Sequence, residues 1–185
     1  MRVVGGELKG RRLAAPPGDK TRPTSDRVRE SIFNALWSRG ALDEDATVLD
    51  LFAGSGALGI EALSRGAAHA TFVDDNAVAR RVVADNLRAL GLTDRATVIA
   101  DRAERFLAGA GDRHYDLAFC DPPYAFEGWS ALLGQLPAAL VVIEAAAEIA
   151  LPAVWDLVRA AQYGTTWVGF VEPARSAGSQ PEGET

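Results

Sequence analysis

From residue 47 onward the chain alternates short apolar runs with amphipathic ones, and this alternation narrows the possible folds more than any other feature. TVLDLF (47–52) reads as a buried strand and LGIEALSRG (58–66) as a helix closed by glycine. ATFVDD (70–75) with AVARRVVADNLRALG (77–91), then ATVIAD (96–101) with RAERFLAG (102–109), repeat the pair. YDLAFCD (115–121) is a fourth strand, followed by a helix near 127–135 and the apolar strand AALVVIEAA (138–146). Strand and helix in this order predict an α/β fold, a parallel sheet with helices on both faces. The end breaks the rhythm: WDLVRAAQYG (155–164) and TTWVGFVEP (165–173) read as two strands around a glycine turn. The expected sheet has seven strands, mostly parallel, with an antiparallel hairpin at one edge.

Ahead of this body, RVVGG (2–6) and KGRRLAAP (9–16) read as a small β-hairpin around a Gly-Gly turn. A helix follows Thr24 or Ser25 as cap, with Val28, Ile32, Phe33, Leu36 and Trp37 at helical spacing, and Gly40 ends it. The chain divides on this reading into a hairpin extension (1–20), a main domain (21–173) and a small-residue polar tail (174–185) expected to be disordered. Charge follows the same division. Residues 1–29 hold eight basic and three acidic residues, a local +5 on a chain of formal net charge −6, which leaves −11 to the rest. A basic arm on an acidic body suggests a polyanion held at one end.

One cysteine, Cys120, precludes an intrachain disulfide, and with only His69 and His114 beside it no metal site is expected. Cys120 itself reads as a small strand hydrophobe. No apolar run reaches the ~20 residues of a membrane span, and MRVVGGELKGRR lacks a signal-peptide core, so a cytoplasmic protein is expected; a monomer is expected as well.

GSGALG (54–59) satisfies G-x-G-x-x-G between a strand and a helix, which by itself fits any nucleotide-binding α/β protein. Asp50, just upstream, separates the candidates. A carboxylate at that strand end repels a pyrophosphate but suits an ammonium, as on S-adenosylmethionine. Asp74 ends the next strand 20 residues past Gly54, where a ribose diol is usually held, and Asp101 ends the third, placed for an adenine amine. The competing role for Asp75 and Asp101 is helix N-capping.

The fourth strand runs into DPPY (121–124). Two prolines remove two N–H donors and hold Asp121 and Pro122 extended, giving a stiff corner with a carboxylate, open carbonyls and a ring. Such a corner suits an exocyclic amine of a nucleobase. Its two hydrogens fit the Asp121 carboxylate and the Pro122 carbonyl, while Tyr124 stacks on the base plane.

DLFAGSG, FVDDN and DPPY together resemble class I methyltransferases that act on amino nitrogens, whose Rossmann-like parallel sheet also ends in an antiparallel hairpin. RVVGGELKGRRL followed by TRPTSDRVRESIFNAL is similar to the RsmD family, the bacterial 16S rRNA guanine-N2 methyltransferases, and the likeness runs over residues 2–173. The resemblance implies S-adenosylmethionine as cofactor, held by Asp50, Phe52, Gly54 and Gly56, with Asp74 and Asp75 toward the ribose and Asp101 and the Arg102 backbone toward the adenine. It implies that Asp121, Pro122, Pro123 and Tyr124 take the guanine, that Thr21, Arg22, Pro23 and Thr24 close over the cofactor, and that Arg2, Lys9, Arg11, Arg12 and Arg27 meet 16S rRNA, within the assembling small subunit. Asp stands at 74 where relatives often carry Glu. Three alternatives share parts of the pattern. A DNA adenine-N6 methyltransferase needs more than the 46 residues spare before the first sheet strand. A protein glutamine enzyme favours Asn at 121, and a non-enzymatic rRNA-binding module leaves DPPY unexplained.

Overall fold

The computed structural model describes residues 1–17 and 25–175. Five parallel strands, β1 (Thr47–Leu51), β2 (His69–Asp74), β3 (Ala96–Ala100), β4 (Tyr115–Cys120) and β5 (Ala138–Ala145), join an antiparallel pair, β6 (Trp155–Tyr163) and β7 (Thr166–Pro173). They form one seven-stranded sheet in the order β3-β2-β1-β4-β5-β7-β6. The helices are α1 (Asp26–Ser38), α2 (Ala57–Ser64), α3 (Ala77–Leu90), α4 (Ala103–Ala108) and α5 (Trp129–Leu133), with a 3₁₀ turn at Thr93–Arg95. The order reverses between β1 and β4, which makes their carboxyl ends the natural crevice for a ligand. Register fixes the crevice. Leu51 pairs with Val73 on one side and Cys120 on the other, so the segments leaving all three strands start side by side.

Successive strand residues serve opposite faces. Val48, Phe72, Leu117, Phe119 and Val142 pack with Ile32, Phe33 and Leu36 of α1, Ile60 and Leu63 of α2, and Val83 and Leu87 of α3. Leu49, Leu51, Ala118, Cys120 and Val141 pack with Phe106 and Leu107 of α4 and Leu132 and Leu133 of α5. Cys120 is fully buried there, and burial pushes its thiol well above the ordinary range, so it stays protonated.

Two capping assignments are corrected. Asn76, not Asp75, caps α3, accepting from Val78 N at 2.8 Å and Ala79 N at 3.3 Å; its short amide reaches the N2 and N3 donors. The cap position of α4 belongs to Arg102, whose guanidinium has no acceptor and makes no side-chain cap bond; the Asp101 carboxylate, one residue earlier, accepts from Arg102 N at 2.8 Å and from the Arg105 guanidinium. For α1 the cap is Ser25.

The amino-terminal hairpin is also changed in form. It pairs through a single antiparallel bridge, Arg2 to Arg12, flanked by Val3 N to Arg11 O at 3.0 Å and Leu13 N to Met1 O at 3.1 Å. Gly10 N also donates to Val3 O at 2.8 Å within the hairpin, while three donors go to the body: Val4 N to Glu61 Oε2 at 2.8 Å, Leu8 N to Ser64 Oγ at 3.0 Å and Glu7 N to Ser64 O at 2.8 Å. Val3 and Leu13 sit in the core at 2% and 6% exposure, which fastens the arm to α2 and α3.

Candidate cofactor and base site

The turn out of β1 is built on unusual backbone. Phe52 has φ 60°, Gly54 57° and Gly56 76°, and Phe52 is the only described non-glycine residue at positive φ. Strain of this kind, ~1–3 kcal/mol for a non-glycine, persists where surrounding bonds hold it, as here. Gly54 N donates to Asp74 Oδ2 at 2.8 Å, Ala53 N to Val73 O at 3.2 Å and Gly56 N to Ala53 O at 2.6 Å. Asp74 Oδ1 accepts from Asn76 N at 2.8 Å, so this carboxylate ties the glycine loop to the start of α3. Gly59 lets α2 descend onto the sheet. A Cβ there would lie 2.4 Å from Phe72 Cε1 and 3.1 Å from Asp50 Oδ2.

Asp50 lies beneath this loop, 2% exposed, with Gly59 N donating to its Oδ2 at 2.9 Å. Burial is the chief reason its carboxyl is pushed up to about 8; the Gly59 bond opposes this, and the neighbouring Asp121 and Asp74 add to it. Three carboxylates facing one another at one sheet edge repel, and a cation relieves that repulsion where a pyrophosphate worsens it. Asp75 is exposed next to Asp74, and Asp101 lies farther along the edge, where Arg102 N donates to its Oδ1 at 2.8 Å.

Asp121, Pro122, Pro123 and Tyr124 leave β4 beside the Phe52 turn. Pro122 is buried, whereas Tyr124 is 52% exposed, its hydroxyl 3.4 Å from Thr166 Oγ1. Behind them Phe52, Phe126 and Trp129 make a chain of edge-to-face contacts, with centroids 5.5 and 5.2 Å apart. The chain joins the glycine-loop side to a cleft of about 190 Å³ between the DPPY corner and the segment after β5. A larger open hollow of about 550 Å³, at the amino ends of the strands, is lined by Arg39, Asp116 and Glu172 and by none of these groups.

Thr21, Arg22, Pro23 and Thr24 lie outside the described residues. Arg2, Lys9, Arg11, Arg12 and Arg27 are all exposed, with Arg11 Nη2 donating to Ala89 O at 2.9 Å. Arg29 differs from these five: it is fully buried, paired with Asp26 at 2.8 Å and bonded to the Arg2 carbonyl. Among the described residues no group of three His, Cys, Asp or Glu side chains is placed to hold a metal, and no helix is long and apolar enough to cross a membrane.

Residues 1–172 match the model of the family described as "Conserved hypothetical protein 95". The chain belongs to this family. "Putative rRNA methyltransferase YlbH" of Bacillus subtilis (strain 168) is 44% identical over 182 residues, covering 92% of this chain and 97% of its own length. "Ribosomal RNA small subunit methyltransferase D" of Escherichia coli (strain K12) is 40% identical over 175 residues, covering 86% of this chain and 83% of its own. A solved structure, "Putative methyltransferase yhhF from Escherichia coli", superposes with a TM-score of 0.81 at 35% identity, over 94% of this chain and 97% of that one. These likenesses establish the Rossmann-like methyltransferase sheet and the family to which the RsmD resemblance pointed.

The site also contains residues that no sequence motif marks. Asn86, 5% exposed on α3, donates through Nδ2 to Ser55 O at 2.9 Å and Ala14 O at 3.1 Å, and accepts from Ala14 N at 2.9 Å. It bolts the arm to the glycine loop. Its signal was an amide on the apolar face of α3, in line with Val83, Leu87 and Leu90. Phe126 and Trp129 sit past the DPPY corner, where no motif marks them.

Proposed function

We propose that this chain is an S-adenosylmethionine-dependent methyltransferase that modifies the exocyclic N2 amine of a guanine in small-subunit ribosomal RNA. The observation that carries the reading is the register that sets DPPY beside the glycine loop, Leu51 against Cys120. The names of the relatives at 44% and 40% identity support the ribosomal RNA substrate. The guanine and its presentation within the assembling subunit rest on the RsmD resemblance.

The residues present fit the cofactor. The loop at Gly54 and Gly56 opens toward the crevice, and the acids around it favour a ligand that carries positive charge. Bound there, S-adenosylmethionine supplies a methyl group on a positively charged sulfur. Asp74, Asp75 and Asp101 line the strand ends along which its nucleoside would lie, and Phe52 packs at the turn. The Asp121 carboxylate and the Pro122 carbonyl accept the two amine hydrogens of the base, which turns the nitrogen lone pair out of the ring. The Asp121 carboxylate would stabilise the positive charge that the amine nitrogen gains on accepting a methyl group. Tyr124 holds the base plane. The exposed cations of the arm hold the phosphates.

Labelled methyl transfer to deproteinised rRNA, assembled small subunits and DNA, followed by nucleoside analysis, tests the proposal. Label in N2-methylguanosine from the ribosomal substrate is the expected result. Label in adenosine, in DNA or in protein alone overturns it.

A further inference from the structure

The cleft beside the DPPY corner is walled by prolines, aromatic rings, alanines and Ile149, with a single carboxylate among its lining residues, Glu148. Its position follows from the sheet. Cys120 pairs with Ile143, so the chain leaving β5 emerges beside the chain leaving β4, and Glu148 lies three residues past the end of β5. The side chain is exposed, and no hydrogen bond or ion pair to another described residue occupies it. A carboxylate lining this cleft accepts hydrogen bonds and donates none, so it suits a substrate group that carries a donor.

A guanine has that donor. Its base-pairing edge carries the N2 amine and, next to it, the N1–H. With the amine hydrogens taken by Asp121 and the Pro122 carbonyl, N1–H is the next donor along the edge. Adenine presents a bare N1 acceptor at the same place, which a carboxylate repels. We propose that Glu148 is the specificity-determining residue of this site, accepting the N1–H of the target guanine; this rests on the guanine reading given above. The bond is charge-assisted, and a site built around such a donor discriminates strongly against an isostere that lacks it.

The experiment uses small-subunit RNA in which the target guanine, located by mass analysis of nuclease fragments of the labelled RNA, is replaced by 2,6-diaminopurine. That base keeps the N2 amine but offers an N1 acceptor. The full chain with the native residue is expected to prefer guanine over diaminopurine by roughly 100-fold or more in kcat/KM. Glu148→Gln, whose amide can donate to N1, should narrow the ratio to within about tenfold, mainly by gaining on diaminopurine. Glu148→Ala should lose rate on guanine without that gain. Melting temperature and S-adenosylmethionine affinity, measured on the same variants, should stay unchanged because the side chain is exposed. A merely structural effect lowers both rates together, and an unaltered ratio in Glu148→Gln overturns the assignment. If the unmodified protein labels no guanine at all, the functional reading fails and Glu148 falls with it. If guanine is labelled and the ratio does not move, only Glu148 fails.

Discussion

Asp50 is an acid kept where acids are costly. Its carboxyl, ordinarily near 3.8, stands at about 8 in the folded chain, chiefly through burial and then through Asp121 and Asp74. The sign follows from linkage. Below about pH 4 the group is protonated in both states; between about 4 and 8 only the unfolded chain gains by ionising it; above about 8 both are charged. Free of ligand, the protein therefore loses stability through that window. Asp50→Asn, which preserves an acceptor for Gly59 N–H, escapes the loss. Its advantage in urea midpoint over the native residue should widen from about pH 5 to pH 8 and then level. Adding a cationic ligand should shrink the advantage, because the cation brings the carboxyl back down. A pH-independent difference would contradict the account. At the neighbouring corner, Asp121→Ala should lower kcat by roughly 10²–10³ with cofactor affinity nearly intact, since its partner is the base. Tyr124→Ala should cost ~1–3 kcal/mol of substrate binding and Tyr124→Phe little, the hydroxyl having only a 3.4 Å contact to Thr166. Single-turnover kinetics and filter binding separate these outcomes; equal damage from Phe and Ala would sink the stacking role.

At the scale of elements, the arm and the glycine loop behave as one piece. Asn86 spans them, and Arg95 secures the arm's far side, pairing with Glu7 at 3.1 Å while donating to Leu63 O and Ala67 O. Asn86→Ala takes one part-buried partner from the Ser55 carbonyl and from the Ala14 N–H and carbonyl, at ~1–3 kcal/mol. It should lower the melting temperature by on the order of 5 °C and weaken S-adenosylmethionine binding as well, because the loop loses its brace. Thermal melts and calorimetry check both; a variant altered in neither would show that the arm is not coupled to the loop. Strand and helix placement was legible because hydrophobic period and glycine stops are local properties, and β1 to β7 fall within a residue or two of the expected bounds. The acids at the strand ends were legible for the same reason. What was not legible depends on long-range bonding. Asn86 meets residues 31 and 72 positions away, and Glu148 acquires meaning only because β5 lies beside β4. Arg29 adds to the formal charge of the arm, and nothing local shows that it is buried against the Arg2 carbonyl.

For the whole molecule, the consequence is a separation of charge that sequence counting overstates and burial refines. Arg29 is inside and Arg11 is partly engaged, yet Arg2, Lys9, Arg12 and Arg27 remain on the surface with no ion pair among the described residues. Deleting the arm is a poor test of what these cations do. It removes Val3 and Leu13 from the core, each contributing about 1.5–3 kcal/mol by burial, and takes Ala14 from Asn86. Neutralising exposed side chains leaves that framework standing. Lys9, Arg12 and Arg27 changed together to Gln should keep the melting temperature and S-adenosylmethionine affinity of the native chain. Affinity for small-subunit RNA should drop, and the slope of log affinity against log salt should fall by roughly 0.7–0.9 for each cation that contacts a phosphate. Titrations at several salt concentrations read this directly. A triple variant that binds RNA with native affinity and an unaltered slope would place the RNA on another face, and the acidic body would then have to be searched for a different entry to the DPPY corner.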